Sequence, residues 1–149
     1  MSLTSEIQIN LLYCDTGALP RRRRRRCSAA DAKVRGLAGP ATALQELREL
    51  LEATVAGGFD IEEALLRLPS RGVARIALAR QVAMYLAHVA CCLTKAEAGR
   101  LFHRDRTTVH HACLVVEQRR DNSEFNQALD HLERVIKIVV GPQGVTWYQ

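Results

Sequence analysis

Residues 94–119, TKAEAGRLFHRDRTTVHHACLVVEQR, decide the fold. Thr94 followed by Glu97 is the Ser/Thr-x-x-Glu pattern of a capping box, which satisfies two amides at a helix start. Ala96, Ala98 and Leu101 continue that helix with small and apolar surface, and Gly99 lets another backbone come close. The spacing predicts that the helix stops near Phe102 and that His103, Arg104 and Asp105 form a turn. Asp105 is then the N-cap of a second helix. From Arg106 onward Val109, Ala112, Cys113 and Val116 recur at intervals of three and four, so one face is buried. The opposite face begins with Arg106, Thr107, His110 and His111.

Two short helices joined by a tight polar turn make a helix-turn-helix, whose second helix can enter a DNA major groove by its N-terminal end. Arginine can donate two bonds to guanine O6 and N7, and threonine can offer a hydroxyl, or a methyl to thymine. A helix N-terminus also favours phosphate. The same pattern read from spacing alone also fits a solvated polar cap on an ordinary helical hairpin.

The wider segment distinguishes the two. Residues 80–113 contain Arg80-Gln81-x-Ala83-Met84-Tyr85-Leu86, Glu97-x-Gly99-Arg100-x-Phe102, Arg104-Asp105-x-Thr107-Thr108-Val109 and His111-Ala112-Cys113. In this order and spacing they resemble the C-terminal DNA-binding domain of the bacterial chromosomal replication initiator DnaA. The likeness extends over about residues 70–136. Domains of this type also occur in phage-derived and gene-transfer-agent regulators. The resemblance implies that Asp105, Arg106, Thr107 and Thr108 read bases. It also implies an arginine near the start of the preceding helix that reaches a minor groove, for which Arg71 and Arg75 are candidates. Two departures stand out. Only His103 separates Phe102 from Arg104, where the family usually has two glycines, and Arg106 occupies the usual histidine position. Arg106 is a fixed cation with more donors than histidine.

Around this segment the chain of 149 residues has a formal charge of +5 and a pI near 9.2, which suits an anionic partner. No apolar run is long enough to span a membrane and no signal-peptide pattern precedes the body, so a cytoplasmic, nucleoid-associated protein is expected. Near the N-terminus Ile7, Ile9, Leu11 and Leu12 form a strand or dock on the body. Six consecutive arginines follow: Arg21, Arg22, Arg23, Arg24, Arg25 and Arg26. Such a run repels itself and reads as a flexible arm. It either contacts phosphates or a minor groove, or serves as a basic tail without a defined site.

Four regions follow: an N-terminal segment over 1–41, a helical hairpin over 42–69, the helix-turn-helix domain over 70–140 and a tail over 141–149. In the hairpin, Thr42 caps a helix with Leu44, Leu47, Leu51 and Val55 on one face, and Gly57-Gly58 stops it. Asp60 opens a second helix carrying Ile61, Ala64, Leu65 and Leu68, ended by Pro69. The two pack together, on the domain beyond, or against a second copy. A third helix runs from Val73 to Val89 and is apolar enough to be central. Asn122 or Ser123 caps a last helix with Phe125, Leu129, Leu132, Ile136 and Val139 inward. Trp147-Tyr148 either folds back or docks on a partner. The class is an all-α helical bundle with an initiator-type helix-turn-helix and a basic arm.

The five cysteines have no C-x-x-C spacing, and Cys92 or Cys113 suits a small core position. No metal set, phosphate-binding glycine loop or nucleophile-base pair is legible, so neither a cofactor nor an enzyme is expected. The reading is a sequence-specific double-stranded DNA-binding transcriptional regulator, an activator working with RNA polymerase or a DNA-bending protein. Arg80, Lys95, Arg100, Arg104, His110 and His111 are its phosphate contacts. Two other readings are a replication modulator competing for initiator boxes, and an adaptor that binds protein through residues 42–68.

Overall fold

The computed structural model describes residues 41–69 and 72–141. Among these are six helices and no strand, as the all-α reading expects: α1 Ala41–Phe59, α2 Glu63–Arg67, α3 Ala74–Val89, α4 Lys95–Leu101, α5 Arg106–Arg119 and α6 Ser123–Val140. The expected N-terminal arm, apart from Ala41, and the Trp147-Tyr148 tail lie outside the described residues.

The core forms around α3. Leu78, Val82, Ala83, Tyr85 and Leu86 are buried there, which is why that stretch is apolar on several sides. The α5 stripe Val109, Ala112, Cys113 and Val116 packs on α3, and α1 contributes Leu47, Leu51, Val55 and Phe59 to the same core. From α6 come Phe125, Leu129, Leu132 and Ile136. Asn122 caps that helix by accepting from the Phe125 amide at 3.0 Å.

Several expectations shift. Gly57-Gly58 does not stop α1, which runs on to Phe59. Gly58 is instead where α6 crosses, since a Cβ there would lie 3.0 Å from Cδ2 of Leu132. The left-handed residue that ends α1 is Asp60, at φ +50°. The Ile61 amide reaches back to the Ala56 carbonyl and the Asp60 amide to that of Gly57, the paired closure of a Schellman motif. Asp60 therefore closes α1 rather than opening α2, which starts at Glu63 without a side-chain cap.

In α2 the buried side chain is Leu66, whereas Ala64 and Leu68 are exposed. A helix of five residues has too few turns for periodicity to set its phase. Val73 is the exposed N-cap of α3, 68% accessible, and Val139 is 59% accessible near the end of α6. Thr42 falls inside α1 rather than before it.

Polar groups fasten the α1–α2–α3 corner. Glu52 is buried between Arg48 Nε at 2.8 Å and Arg67 Nε at 2.6 Å. Buried charge is tolerated only when paired in this way. Arg75 donates to the Phe59 carbonyl at the end of α1, and Arg80 donates to the carbonyls of Leu65 and Leu66 at the end of α2.

Candidate nucleic-acid interface

The helix-turn-helix is built by its caps. The Thr94 hydroxyl accepts from the Glu97 amide at 3.2 Å and the Glu97 carboxylate accepts from the Thr94 amide at 2.7 Å, so the capping box is complete. After Leu101 the chain turns at once. His103 takes φ +53°, its amide reaches Arg100 O, and the Arg104 amide reaches Gly99 O at 2.8 Å. This is again a Schellman closure, with histidine in a left-handed position where glycine is easiest. It lets four residues, Phe102 to Asp105, separate α4 from α5.

Gly99 is fixed by that closure. A Cβ at Gly99 would sit 2.6 Å from the Arg104 carbonyl oxygen. The expected close approach is therefore the turn's own backbone.

Asp105 caps α5. One carboxylate oxygen accepts from the Thr107 amide at 2.7 Å and from the Thr107 hydroxyl at 2.6 Å. The Thr107 hydroxyl and amide, and then the nearby Arg106 charge, hold the Asp105 carboxyl below its ordinary range. It is therefore a carboxylate at neutral pH.

Beyond the cap, Arg106, Thr107, Thr108, His110 and His111 are all exposed, as are Arg100, His103 and Arg104 on the preceding helix and turn. Lys95 Nζ lies 2.9 Å from His110 Nδ1, joining α4 to α5 across the same surface. Among the described residues, Arg100, Arg104 and Arg106 enter none of the ion pairs, whereas Arg48, Arg67 and Arg120 all do. The turn and the start of α5 thus present cations whose donors face water, around two threonines at a helix N-terminus. Side chains of these types at a helix N-terminus are chemically able to meet phosphates and base edges.

The other candidates fall elsewhere. Arg80 sits behind this surface with its donors on Leu65 and Leu66 carbonyls. Burial, and then the like charge of Arg104, draw its guanidinium below the ordinary arginine value. Arg75 is anchored on Phe59. Arg71 and the run Arg21–Arg26 lie outside the described residues.

A second polar cluster, centred on Arg120, is not legible from spacing. Its guanidinium donates to the Tyr85 hydroxyl at 3.1 Å, to Asn126 at 2.8 Å, to Asp130 at 2.9 Å and to Glu133, and lies 5.4 Å from the centre of the Tyr85 ring. Tyr85 in turn donates to Glu117 at 2.8 Å. Burial and the Glu117 bond raise the Tyr85 hydroxyl above its ordinary value, so it remains a donor. This cluster fixes the far end of α5 against α3 and α6. The sequence signal was the polar break at Arg119-Arg120, whose second arginine points inward.

The cysteines divide. Cys91 and Cys113 are buried, and Cys92 is partly exposed at φ +57°. Burial pushes the Cys91 thiol up to about 12. Among the described residues no group of three or more His, Cys, Asp or Glu side chains could hold a metal ion, and no helix is long and apolar enough to cross a membrane.

Residues 49–116, from the middle of α1 through most of α5, match the family model of the bacterial dnaA protein helix-turn-helix. This segment is similar to the bacterial DnaA helix-turn-helix family. A DnaA-type helix-turn-helix implies DNA binding, and in this chain the start of α5 is exposed and basic. Over 91 residues the chain is 41% identical to the chromosomal replication initiator proteins DnaA of Leptothrix cholodnii and of Bordetella pertussis. It is 33% identical over 108 residues to that of Mycobacteroides abscessus. These alignments cover 60%, 60% and 72% of the chain and 18%, 19% and 21% of the relatives. The chain therefore spans about a fifth of the length of the relatives it matches.

Proposed function

We propose that the chain is a sequence-specific double-stranded DNA-binding protein that acts as a transcriptional regulator and not as an enzyme. The observation that carries this reading is the start of α5. There Arg106, Thr107 and Thr108 stand exposed on a helix capped by Asp105, flanked by Arg100 and Arg104, to which no carboxylate is paired among the described residues. Base edges are read by this kind of side chain, and the flanking cations place the helix on the backbone. Arg106 in the leading position favours guanine, which gives the chain a target of its own. RNA polymerase or a DNA-bending protein is the partner that activation from such a target implies.

The test is a binding titration of Arg106→Ala against a duplex obtained by selection and its scrambled counterpart. We expect a loss of about 1–3 kcal/mol on the selected duplex and a much smaller one on the scrambled duplex. Equal losses on both would remove the base-reading role.

A replication modulator competing for initiator boxes is the second reading. It is favoured by the 41% identity to replication initiators and by retention of Asp105, Thr107 and Thr108. Selected duplexes that reproduce the origin box would support it over the first.

A further inference from the structure

Helix α5 is held in different ways along its length. At its start the ties run to α4, through the Arg104 amide on the Gly99 carbonyl and Lys95 Nζ beside His110 Nδ1. The Asp105 cap is taken up by Thr107 of the same helix. In the middle, contact with α3 is made by the stripe Val109, Ala112, Cys113 and Val116. Packing of this kind favours a class of crossing angles with a scatter of about 15–20°. A site that reads base edges has to be aimed more closely than that.

Directional bonds from α3 and α6 come at the far end. Tyr85 of α3 donates to Glu117 of α5 at 2.8 Å and accepts from Arg120 Nε at 3.1 Å. Arg120, on which α5 ends, continues to Asn126, Asp130 and Glu133 of α6. Glu117 and Arg120 therefore grip the Tyr85 hydroxyl from two sides. Drawing this much charge out of water carries a penalty that an apolar cluster would avoid. What the cluster supplies is geometry, because all its bonds are met together in one arrangement of the three helices.

The apolar stripe makes a pivot for this stiff rod. Glu117 lies about 16 Å along the helix from Arg106, with Ala112 near midway. A displacement at Glu117 is therefore returned at Arg106, Thr107 and Thr108 with similar size and opposite sense. A hydrogen bond to a base edge lapses within roughly half an ångström. Long cationic side chains, by contrast, can follow a phosphate.

We infer that the Tyr85 hydroxyl, held between Glu117 and Arg120, sets the angle of α5 and so governs base discrimination at the opposite end of the helix. Tyr85, Glu117 and Arg120 are positioning residues in this scheme, acting through α5 and not through contact with a nucleotide. The inference rests on the base reading proposed above and extends it to a site remote from the DNA.

Affinities of the 149-residue chain for a duplex obtained by selection and for its scrambled counterpart give a discrimination ratio. Loss of stability lowers the competent fraction and weakens both duplexes alike, so it leaves that ratio where it was. A misdirected α5 lowers it. Tyr85→Phe keeps the ring and removes both hydroxyl bonds. It should reduce the ratio by about three- to tenfold, with affinity for the scrambled duplex within about twofold of the unaltered chain. Glu117→Ala, at an exposed position, should reduce the ratio similarly. Glu117→Gln also lacks the charge but keeps an acceptor for Tyr85, and should preserve it. Residual dipolar couplings of the free protein should show α5 turned relative to α3 in Tyr85→Phe and Glu117→Ala, and not in Glu117→Gln. An unchanged ratio in Tyr85→Phe and Glu117→Ala, whatever their overall affinity, would overturn the positioning role and leave base reading intact. Selection that enriches no sequence for the unaltered chain would overturn base reading and this inference with it.

Discussion

One carboxylate oxygen of Asp105 holds both the amide and the hydroxyl of Thr107, at 2.7 and 2.6 Å. The two residues are therefore one unit at the mouth of α5. With its hydroxyl proton given to the cap, Thr107 keeps a methyl and the acceptor lone pairs of its oxygen. Thr108, next in line, carries no such bond to the cap.

The first prediction separates these roles. Thr107→Ser keeps the cap bond and loses the methyl. It should lose about 1 kcal/mol on a duplex whose contacted base is thymine, roughly fivefold in affinity, and almost nothing when that base is replaced by uracil. Anisotropy titrations with the two duplexes measure the difference. A loss that is the same on both would show that the Thr107 methyl does not meet the thymine methyl.

The second concerns acid. Asp105 is held below its ordinary range by Thr107, so its contribution to stability is present above the unfolded value of about 3.9 and is lost as pH falls through the lower folded value. Asp105→Asn keeps a capping oxygen without the charge. Thermal melts from neutral to strongly acid pH should show a shallower decline for Asp105→Asn than for the unaltered chain, and a lower melting point at neutral pH for Asp105→Ala.

Two glycines should respond in opposite directions. Gly99→Ala drives a Cβ to within 2.6 Å of the Arg104 oxygen and should destabilise by about 1–3 kcal/mol while disturbing the turn. Gly57→Ala meets nothing within 4 Å inside α1 and should stabilise by about 0.5–1 kcal/mol. Urea denaturation of both variants reads the contrast directly.

The last prediction addresses the Arg120 cluster. Arg120→Ala leaves Glu133 with only Lys137 at 3.6 Å and Asp130 with only Asn126 at 3.4 Å and should cost about 2–4 kcal/mol, whereas Tyr85→Phe should cost about 1 kcal/mol. Arg120→Lys should recover only part, since a point charge cannot serve four acceptors held in a planar fork. Denaturant midpoints for the three variants should follow that order.

These outcomes track what can be read from residue order. Helices of three turns or more announced themselves through their buried stripes, as Val109, Ala112, Cys113 and Val116 did on α5. Caps announced themselves through residue chemistry, as at Thr94, Asp105 and Asn122. The short α2 did not, because one turn of helix carries no period, and Leu66 went inward in place of Ala64 and Leu68. Gly57-Gly58 misled because a glycine pair serves close helix crossing as readily as helix termination, and only Leu132 of a distant segment distinguishes the two. Arg120 was hidden for a similar reason. Its partners Tyr85 and Glu133 lie on other helices, and a long polar side chain next to a break reads as solvated. At the start of α5, residue type pointed to the exposed Arg106 and Thr107, but not to the bond that turns the Thr107 hydroxyl back on Asp105.

The corner where α1, α2 and α3 meet is held by Arg67, Arg75 and Arg80, reaching a carboxylate and three main-chain carbonyls, with Leu66 as the buried side chain of α2. A joint made of ion pairs and carbonyl bonds loosens without emptying the oily interior behind it. Amide hydrogens of Glu63–Arg67 should therefore exchange with solvent long before those of α3. A rise in ionic strength should widen that gap, making this corner the place where the domain first begins to come apart.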